Sequence, residues 1–66
     1  MFVYIKVHPS EGIDYAYVNP KHVLCVVRTR SDNACWIRFI DNPNALRIDE
    51  TKTPLSQVVS DLEQNA

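Results

Sequence analysis

Two segments near the start of the chain alternate between apolar and polar positions. Residues 2–8 place three β-branched side chains on one face, and residues 14–18 set two tyrosines against two apolar side chains. A period of two is typical of strands that bury one face. The intervening residues 9–12 have turn chemistry and hold the only glycine of the chain. The pattern predicts two strands joined by a turn.

The next segment loses this alternation. Asparagine is a preferred helix cap and proline a preferred first helical residue, so Asn19-Pro20 predicts one helical turn over residues 19–22. Val23–Val27 then forms a run of five apolar residues, continued by Arg28-Thr29-Arg30. Strands that are apolar on both faces are normally covered on both faces. We therefore expect Val23–Val27 to be the central strand.

The apolar pattern also predicts the register of the following hairpin. A three-residue loop of Ser31-Asp32-Asn33, with Asn33 left-handed, sets Val27 opposite Ile37 in a strand over residues 34–40. This register keeps apolar residues on one face, whereas loops of two or four residues would mix the faces. A three-residue loop is therefore expected.

The same register separates the two cysteines. Cys25 and Cys35 would lie four residues apart along the hairpin, about 13 Å at the rise of a strand. A disulfide does not span that distance. Residues 1–7 lack the basic region and cleavage site of a signal peptide. We expect reduced thiols and a cytoplasmic location.

The rest of the chain predicts one more strand and a helix. Residues 41–44 carry a strong turn signal, and residues 45–49 alternate again. Thr53-Pro54 has the order of a cap followed by proline and would open a helix over 54–64. Four apolar residues form one stripe along this helix at i, i+3, i+4 and i+7: Leu55, Val58, Val59 and Leu62.

Composition agrees with one folded domain. Hydrophobic residues make up 45% of the 66 residues, which argues against a disordered chain. No apolar run approaches the roughly 20 residues of a membrane helix, so no membrane partner is expected. The predicted fold is a single small α+β domain over residues 1–66. It consists of a five-stranded, mostly antiparallel meander, curved or barrel-like, with one C-terminal helix.

The sequence lacks the residue patterns that catalytic sites and metal sites need. The candidate metal ligands are His8, His22, Cys25 and Cys35, and no CxxC or HxxxH spacing joins them. One glycine cannot build a phosphate-binding loop, and neither G-x-S-x-G nor paired carboxylates framed by a cleft occur. We therefore expect no enzyme activity, no catalytic residues, no cofactor and no metal.

One face of the predicted sheet would stay uncovered, because a single helix shields only one side. In the predicted register this outer face sets Arg28 opposite Trp36 and Val26 opposite Arg38. Such a patch is rarely left open, and a second copy is the simplest cover. The predicted function is a non-enzymatic interaction module that self-associates, as a homodimer or larger assembly, through a sheet face or edge. Its candidate residues are Leu24, Val26, Arg28, Trp36, Arg38, Ile40 and Arg47.

The same face suits two other kinds of partner. Arginines around a tryptophan, with tyrosines elsewhere on the sheet, are a composition that single-stranded nucleic acid binders use. Arginine and tryptophan are equally enriched at protein interfaces. Seven Lys/Arg against eight Asp/Glu give a net charge of -1. This charge favours a protein partner, with nucleic acid as the alternative.

The order of elements resembles the small flagellar FlbD/SwrD-type proteins. The resemblance lies in Val18-Asn19-Pro20-x-x-Val23, in Ile48-Asp49-Glu50-Thr51 and in Leu55-x-x-Val58-Val59. It implies a similar sheet-plus-helix layout and a bacterial accessory role. The chain departs from that pattern at Val7-His8-Pro9-Ser10, where an Arg-x-Asn-Gly turn is usual. It also lacks Asn-Gly in the central hairpin and adds Pro43, and no functional residue is carried over.

Overall fold

The computed structural model describes all 66 residues, which form five strands and one α-helix in the predicted order. Two short 3₁₀ turns, Pro9–Glu11 and Pro20–His22, precede the second and third strands. The strands are β1 (Val3–Lys6), β2 (Tyr15–Val18), β3 (Val23–Arg28), β4 (Cys35–Phe39) and β5 (Leu46–Ile48), and the helix is α1 (Leu55–Gln64).

The strands form two sheets, so the prediction of a single meander is wrong. β1 pairs with β2, and β3, β4 and β5 pair in that order, all antiparallel. β2 does not continue into β3, because the Pro20–His22 turn redirects the chain instead of closing a hairpin. The far end of β1 reaches β5 through one bridge between Val7 and Ile48. No closed barrel results.

The middle strand of the larger sheet is β4, so the prediction that Val23–Val27 is central is also wrong. β3 lies at the edge of this sheet. All four of Val23, Cys25, Val26 and Val27 are half-buried, but only Val23 and Val26 pack against the core. The apolar run therefore marks a strand whose inner face alone is covered by its own chain.

The β3–β4 register differs from the predicted one by one residue. Arg28 pairs with Cys35, Val27 with Trp36 and Val26 with Ile37. The loop has four residues, because the Thr29 N–H donates to the Ala34 carbonyl at 2.8 Å. The Asp32 carboxylate holds this turn by accepting from the Thr29 hydroxyl and the Ala34 N–H. Asn33 is left-handed, as predicted, with φ of 56°.

A bulge in β3 decides which apolar side chains at the start of this strand face the core. Between Val23 and Cys25 the pairing shifts by one residue, so that Val23 pairs with Phe39. Without the shift, the alternation from Val26 would turn Leu24 toward the core. With it, Val23 and Val26 both pack against the core, and Leu24 is exposed.

Both cysteines are free, and they lie on opposite faces of the sheet. Cys35 pairs with Arg28 and is fully buried, whereas Cys25 pairs with Arg38 and is half-buried. They are three residues apart along the ladder, about 10 Å at the rise of a strand. The separation is thus one residue shorter than predicted, and a disulfide still cannot span it.

The core lies between the inner faces of the two sheets and α1. The helix buries Val58 and Leu62 and contacts β1. It begins at Leu55, with Pro54 in the cap position and no side chain capping the first turn, so Thr53 is not the cap that the sequence predicts. The eight residues of the core cluster are Val3, Ile5, Val18, Cys35, Ile37, Ile48, Val58 and Leu62.

We expect the four-residue loop to tolerate Asn33→Gly and to be destabilised by Asn33→Val. A β-branched residue at positive φ is strained, which costs about 1–2 kcal/mol, whereas glycine adopts this conformation freely. Urea denaturation followed by circular dichroism measures both changes. Ser31→Val is the control, since Ser31 is exposed in the same loop and Asn33 is the only non-glycine residue with positive φ. Equal losses in the two valine variants would contradict this explanation.

Candidate interaction surface

The structure divides the seven predicted interface residues among four places. Trp36, Arg38 and Arg47 share the outer face of the larger sheet, where Trp36 pairs with Arg47. Val26 packs against the core instead. Arg28 pairs with Cys35 and is exposed near the polar side of α1. Leu24 in the bulge and Ile40 after β4 are 64% and 61% exposed.

The outer face around Trp36 is therefore less basic than the predicted one. We call this surface the Trp36 face: Cys25, Val27, Trp36, Arg38 and Arg47. Cys25 and Val27 occupy the positions opposite Arg38 and Trp36 that the predicted register gave to Val26 and Arg28. Two arginines rather than three accompany the tryptophan. The guanidinium of Arg47 lies 6.0 Å from the Trp36 ring centroid, at the outer limit of a cation–π contact.

Arg47 is engaged by a carboxylate. Its Nη2 donates to Glu50 Oε1 at 2.9 Å, and this hydrogen bond raises the pKa of Arg47 although burial opposes the shift. Burial pushes the pKa of Glu50 up, but the hydrogen bond from Arg47, a backbone hydrogen bond and the nearby positive charges together outweigh it, and the net pKa is lowered. Arg38 forms no ion pair. Arg38 is therefore the one free cation on the Trp36 face.

A second surface lies on the outer side of the β1–β2 sheet. Tyr4 pairs directly with Tyr17, and Lys6 pairs with Tyr15. The Tyr4 and Tyr15 rings stack with centroids 4.5 Å apart and planes 9° apart, and Tyr17 tilts against Tyr4 at 4.9 Å. The ammonium of Lys6 lies 4.7 Å from the Tyr15 ring centroid. We call Tyr4, Tyr15 and Tyr17 the tyrosine face.

The tyrosine face is open to solvent. Tyr4, Tyr15 and Tyr17 are 54%, 46% and 70% exposed. At about 200 Å² per aromatic side chain, they leave roughly 350 Å² uncovered. Phe2, which lines a cleft together with Tyr17, is also exposed and brings the total to roughly 450 Å². Patches of this size on a single chain often mark interaction sites.

The clustering also affects the Tyr4 hydroxyl. Partial desolvation, followed by the nearby Tyr15 and Tyr17 hydroxyls and the Asp14 carboxylate, raises the pKa of Tyr4 above its ordinary value. Sequence reasoning placed the tyrosines on the sheet but not together. The signal that could have found them is the strand pairing, since alternation in both strands aligns the aromatic positions on one face.

A cleft of about 460 Å³ opens where the two sheets diverge. Its apolar walls include Ala16, Phe39 and Leu46, and His22 and Asp41 approach each other there at 3.7 Å with both side chains exposed. The volume suits a small molecule. No serine, threonine or cysteine lines the cleft, and we assign no chemistry to it.

The candidate metal ligands of the sequence do not form a metal centre in the structure. No three His, Cys, Asp or Glu side chains lie together in an arrangement that could hold a metal ion. None of the helices combines the length and the hydropathy that crossing a bilayer would require.

Comparisons with known proteins add no relative. No protein-family model, curated protein or solved structure matches this chain. The resemblance to flagellar proteins therefore stays a prediction, and the functional argument depends on the geometry of the surfaces.

Proposed function

We propose that this chain is a non-enzymatic interaction module that associates with a second copy of itself through the β1–β2 sheet. The observation that carries the proposal is the tyrosine face, in which the Tyr4 ring stacks on Tyr15 and contacts the tilted Tyr17 ring on the outside of a two-stranded sheet. Tyrosine is enriched at protein interfaces and among their energetically dominant residues. Rings already held by stacking also lose little freedom on binding.

The tyrosine face suits self-association better than the Trp36 face does. A surface that meets its own copy brings like charges together, which opposes association. The Trp36 face carries two arginines, whereas Lys6 is the only charged residue in ring contact on the tyrosine face. The half-buried Cys25 and the buried Cys35 are free thiols, which supports a reducing compartment such as the cytoplasm.

The expected association is weak. Two copies together expose roughly 900 Å² of aromatic surface, and an interface that covers only part of it lies at or below the low end of the interface sizes of transient complexes. We therefore expect a dissociation constant on the order of 100 µM. Sedimentation velocity from about 10 µM to about 1 mM covers that range.

Tyr17→Ser is expected to weaken self-association at least fivefold. Tyr17 is the most exposed of the three rings, and removing a central aromatic side chain from an interface typically costs about 1–2 kcal/mol or more. The measurement is the weight-average molar mass as a function of concentration. Fold integrity is checked by far-UV circular dichroism.

Leu24→Ser is the matched control. Leu24 is similarly exposed but lies in the bulge of β3, on the other sheet. The Leu24→Ser substitution removes apolar surface outside the tyrosine face. The association curve of this variant should therefore coincide with that of the unchanged chain. A chain that stays monomeric at about 1 mM, or one that Leu24→Ser weakens as much as Tyr17→Ser, would refute the proposal.

Nucleic acid remains the alternative partner, through the Trp36 face. The observations that support this alternative are the Trp36 ring and the unpaired Arg38 beside it. Arg47 also lies near the ring, but its guanidinium is already bound to Glu50. Titration with labelled single-stranded oligonucleotides across a salt series separates the two functions. Salt-dependent binding that Arg38→Glu abolishes, in a chain that does not self-associate, would assign the function to the Trp36 face.

A further inference from the structure

The outer edge of β2 carries backbone groups without a partner. The Val7 N–H donates to the Asp14 carbonyl at 2.9 Å. Because bonded pairs alternate in an antiparallel ladder, Ile5–Ala16 and Val3–Val18 are the next bonded pairs. Tyr15 and Tyr17 therefore direct their N–H and C=O groups away from β1. No strand pairs with this edge, and neither residue occurs among the backbone hydrogen bonds outside the regular elements.

We propose that two copies of this chain pair their β2 edges antiparallel about a two-fold axis at Ala16. This inference rests on the proposed self-association and names its interface. In this register Tyr15 of each copy lies opposite Tyr17 of the other, and each such pair exchanges two backbone hydrogen bonds. The β1–β2 sheets join into one four-stranded sheet, and the two tyrosine faces become continuous.

The side chains of β2 fit this register. The two Ala16 residues form the closely spaced, non-bonded pair at the axis, where a small side chain fits best. Each Tyr15 stands beside a Tyr17 of the other copy, a favourable aromatic cross-strand pair. The charged residue nearest to β2 is Asp14, which precedes the strand. In this register Asp14 of one copy lies opposite Val18 of the other copy and not opposite the second Asp14. No like charges meet directly across the axis.

The free edge of β3 is less suited to pairing. The first bond of its ladder runs from the Thr29 N–H to the Ala34 carbonyl, so the backbone N–H and C=O groups of Val26 and Arg28 point away from β4. The bulge at Leu24 interrupts the ladder there, and bulges protect edges from association. Pairing β2 with β2 also closes the assembly at two copies, because both β2 edges are used.

Residue-specific amide exchange, measured by NMR at low and high protein concentration, tests the interface directly. Tyr15 and Tyr17 amides are expected to exchange rapidly in dilute protein and at least threefold more slowly at about 1 mM, where roughly four fifths of the chain is dimeric at the expected dissociation constant. Ala16 and Val18, bonded to β1, should be slow at both concentrations and are the internal control. Dimerisation that leaves Tyr15 and Tyr17 fast, or that protects Val26 and Arg28 instead, would overturn the inference.

Comparison of Tyr17→Pro with Tyr17→Ser isolates the backbone bonds. Both remove the ring, but only proline removes the outward N–H, and proline is tolerated at such edge positions. We expect Tyr17→Pro to abolish the dimer that Tyr17→Ser only weakens, with unchanged protection of Ala16. Equal dimerisation of the two variants would overturn the edge pairing alone. A monomeric unchanged chain at about 1 mM would refute the proposed function as well.

Discussion

Ile37→Ala is expected to remove about 2–5 kcal/mol of the free energy of unfolding. Ile37 lies in β4, the middle strand of the larger sheet, and is fully buried. It pairs with Val26 on one side and Leu46 on the other, and both pack against the core. Truncation therefore leaves a cavity whose walls are held by two neighbouring strands and cannot collapse freely.

Such a loss is large relative to the whole fold. A chain of this length has a free energy of unfolding of about 3–10 kcal/mol at the usual value per residue. We therefore expect Ile37→Ala to be partly or fully unfolded at 37 °C. Urea denaturation at 10 °C and at 37 °C, followed by tryptophan fluorescence of Trp36, measures the effect.

Ile40→Ala is the matched control for this experiment. Ile40 is the same residue type, three positions further along the chain, but it is exposed. Its replacement should change the free energy of unfolding by no more than about 0.5 kcal/mol. Equal losses for Ile37→Ala and Ile40→Ala would mean that the assigned inner and outer faces of β4 are wrong.

The second large effect is expected on acidification. The Thr51 hydroxyl donates to Asp49 at 2.6 Å and its N–H at 3.3 Å; these hydrogen bonds lower the pKa of Asp49 although burial opposes them. Asp32, held by hydrogen bonds from Thr29 and Ala34, also has a lowered pKa, as does Glu50. Three carboxyls thus bind protons less readily in the folded chain than in the unfolded one.

The direction of the pH dependence follows from these shifts. A carboxyl with a lowered folded pKa contributes stability that is fully present above its unfolded pKa, about 4. That contribution is lost as the pH falls from about 4 through the folded value. We expect the urea midpoint to be constant near neutral pH and to fall steeply below about pH 4.

Asp49→Asn tests the one carboxyl of the three that is buried. Asparagine keeps the shape and still accepts from Thr51, but it cannot gain or lose a proton near pH 4. The variant should have a lower urea midpoint at pH 7 and a flatter acid dependence, so that its curve converges with that of the unchanged chain at low pH. Glu63→Gln, at an exposed position on α1, is the control. Parallel curves for the Asp49→Asn variant and the unchanged chain would contradict the assigned role.

Local chemistry accounts for the predictions that the structure confirms. Alternation located β1, β2 and β5, and the stripe of apolar residues located α1 within one residue of its start. The Asn19-Pro20 turn and the left-handed Asn33 also follow from the residues themselves. Each of these features depends on residues close together in the chain, whose conformational preferences do not depend on which strand pairs with them.

The composition of the candidate surface depended on contacts that sequence patterns do not encode. The Asp32 carboxylate selects a loop one residue longer than the apolar pattern favoured, and the bulge at Leu24 then restores Val23 to the core. This single shift moves Arg28 and Val26 away from Trp36. Register errors of one residue reverse the face of every side chain that follows.

By itself, the amino-acid sequence determined the elements of this protein, their order and the α+β class, because turns, caps and periodicity act locally. Tertiary structure alone decided which strands became neighbours, that β4 rather than β3 lies in the middle, and that the Tyr4, Tyr15 and Tyr17 rings cluster on one open face. Strand neighbours are chosen by how the whole chain buries its apolar surface. That choice is a property of the packed molecule and not of any segment.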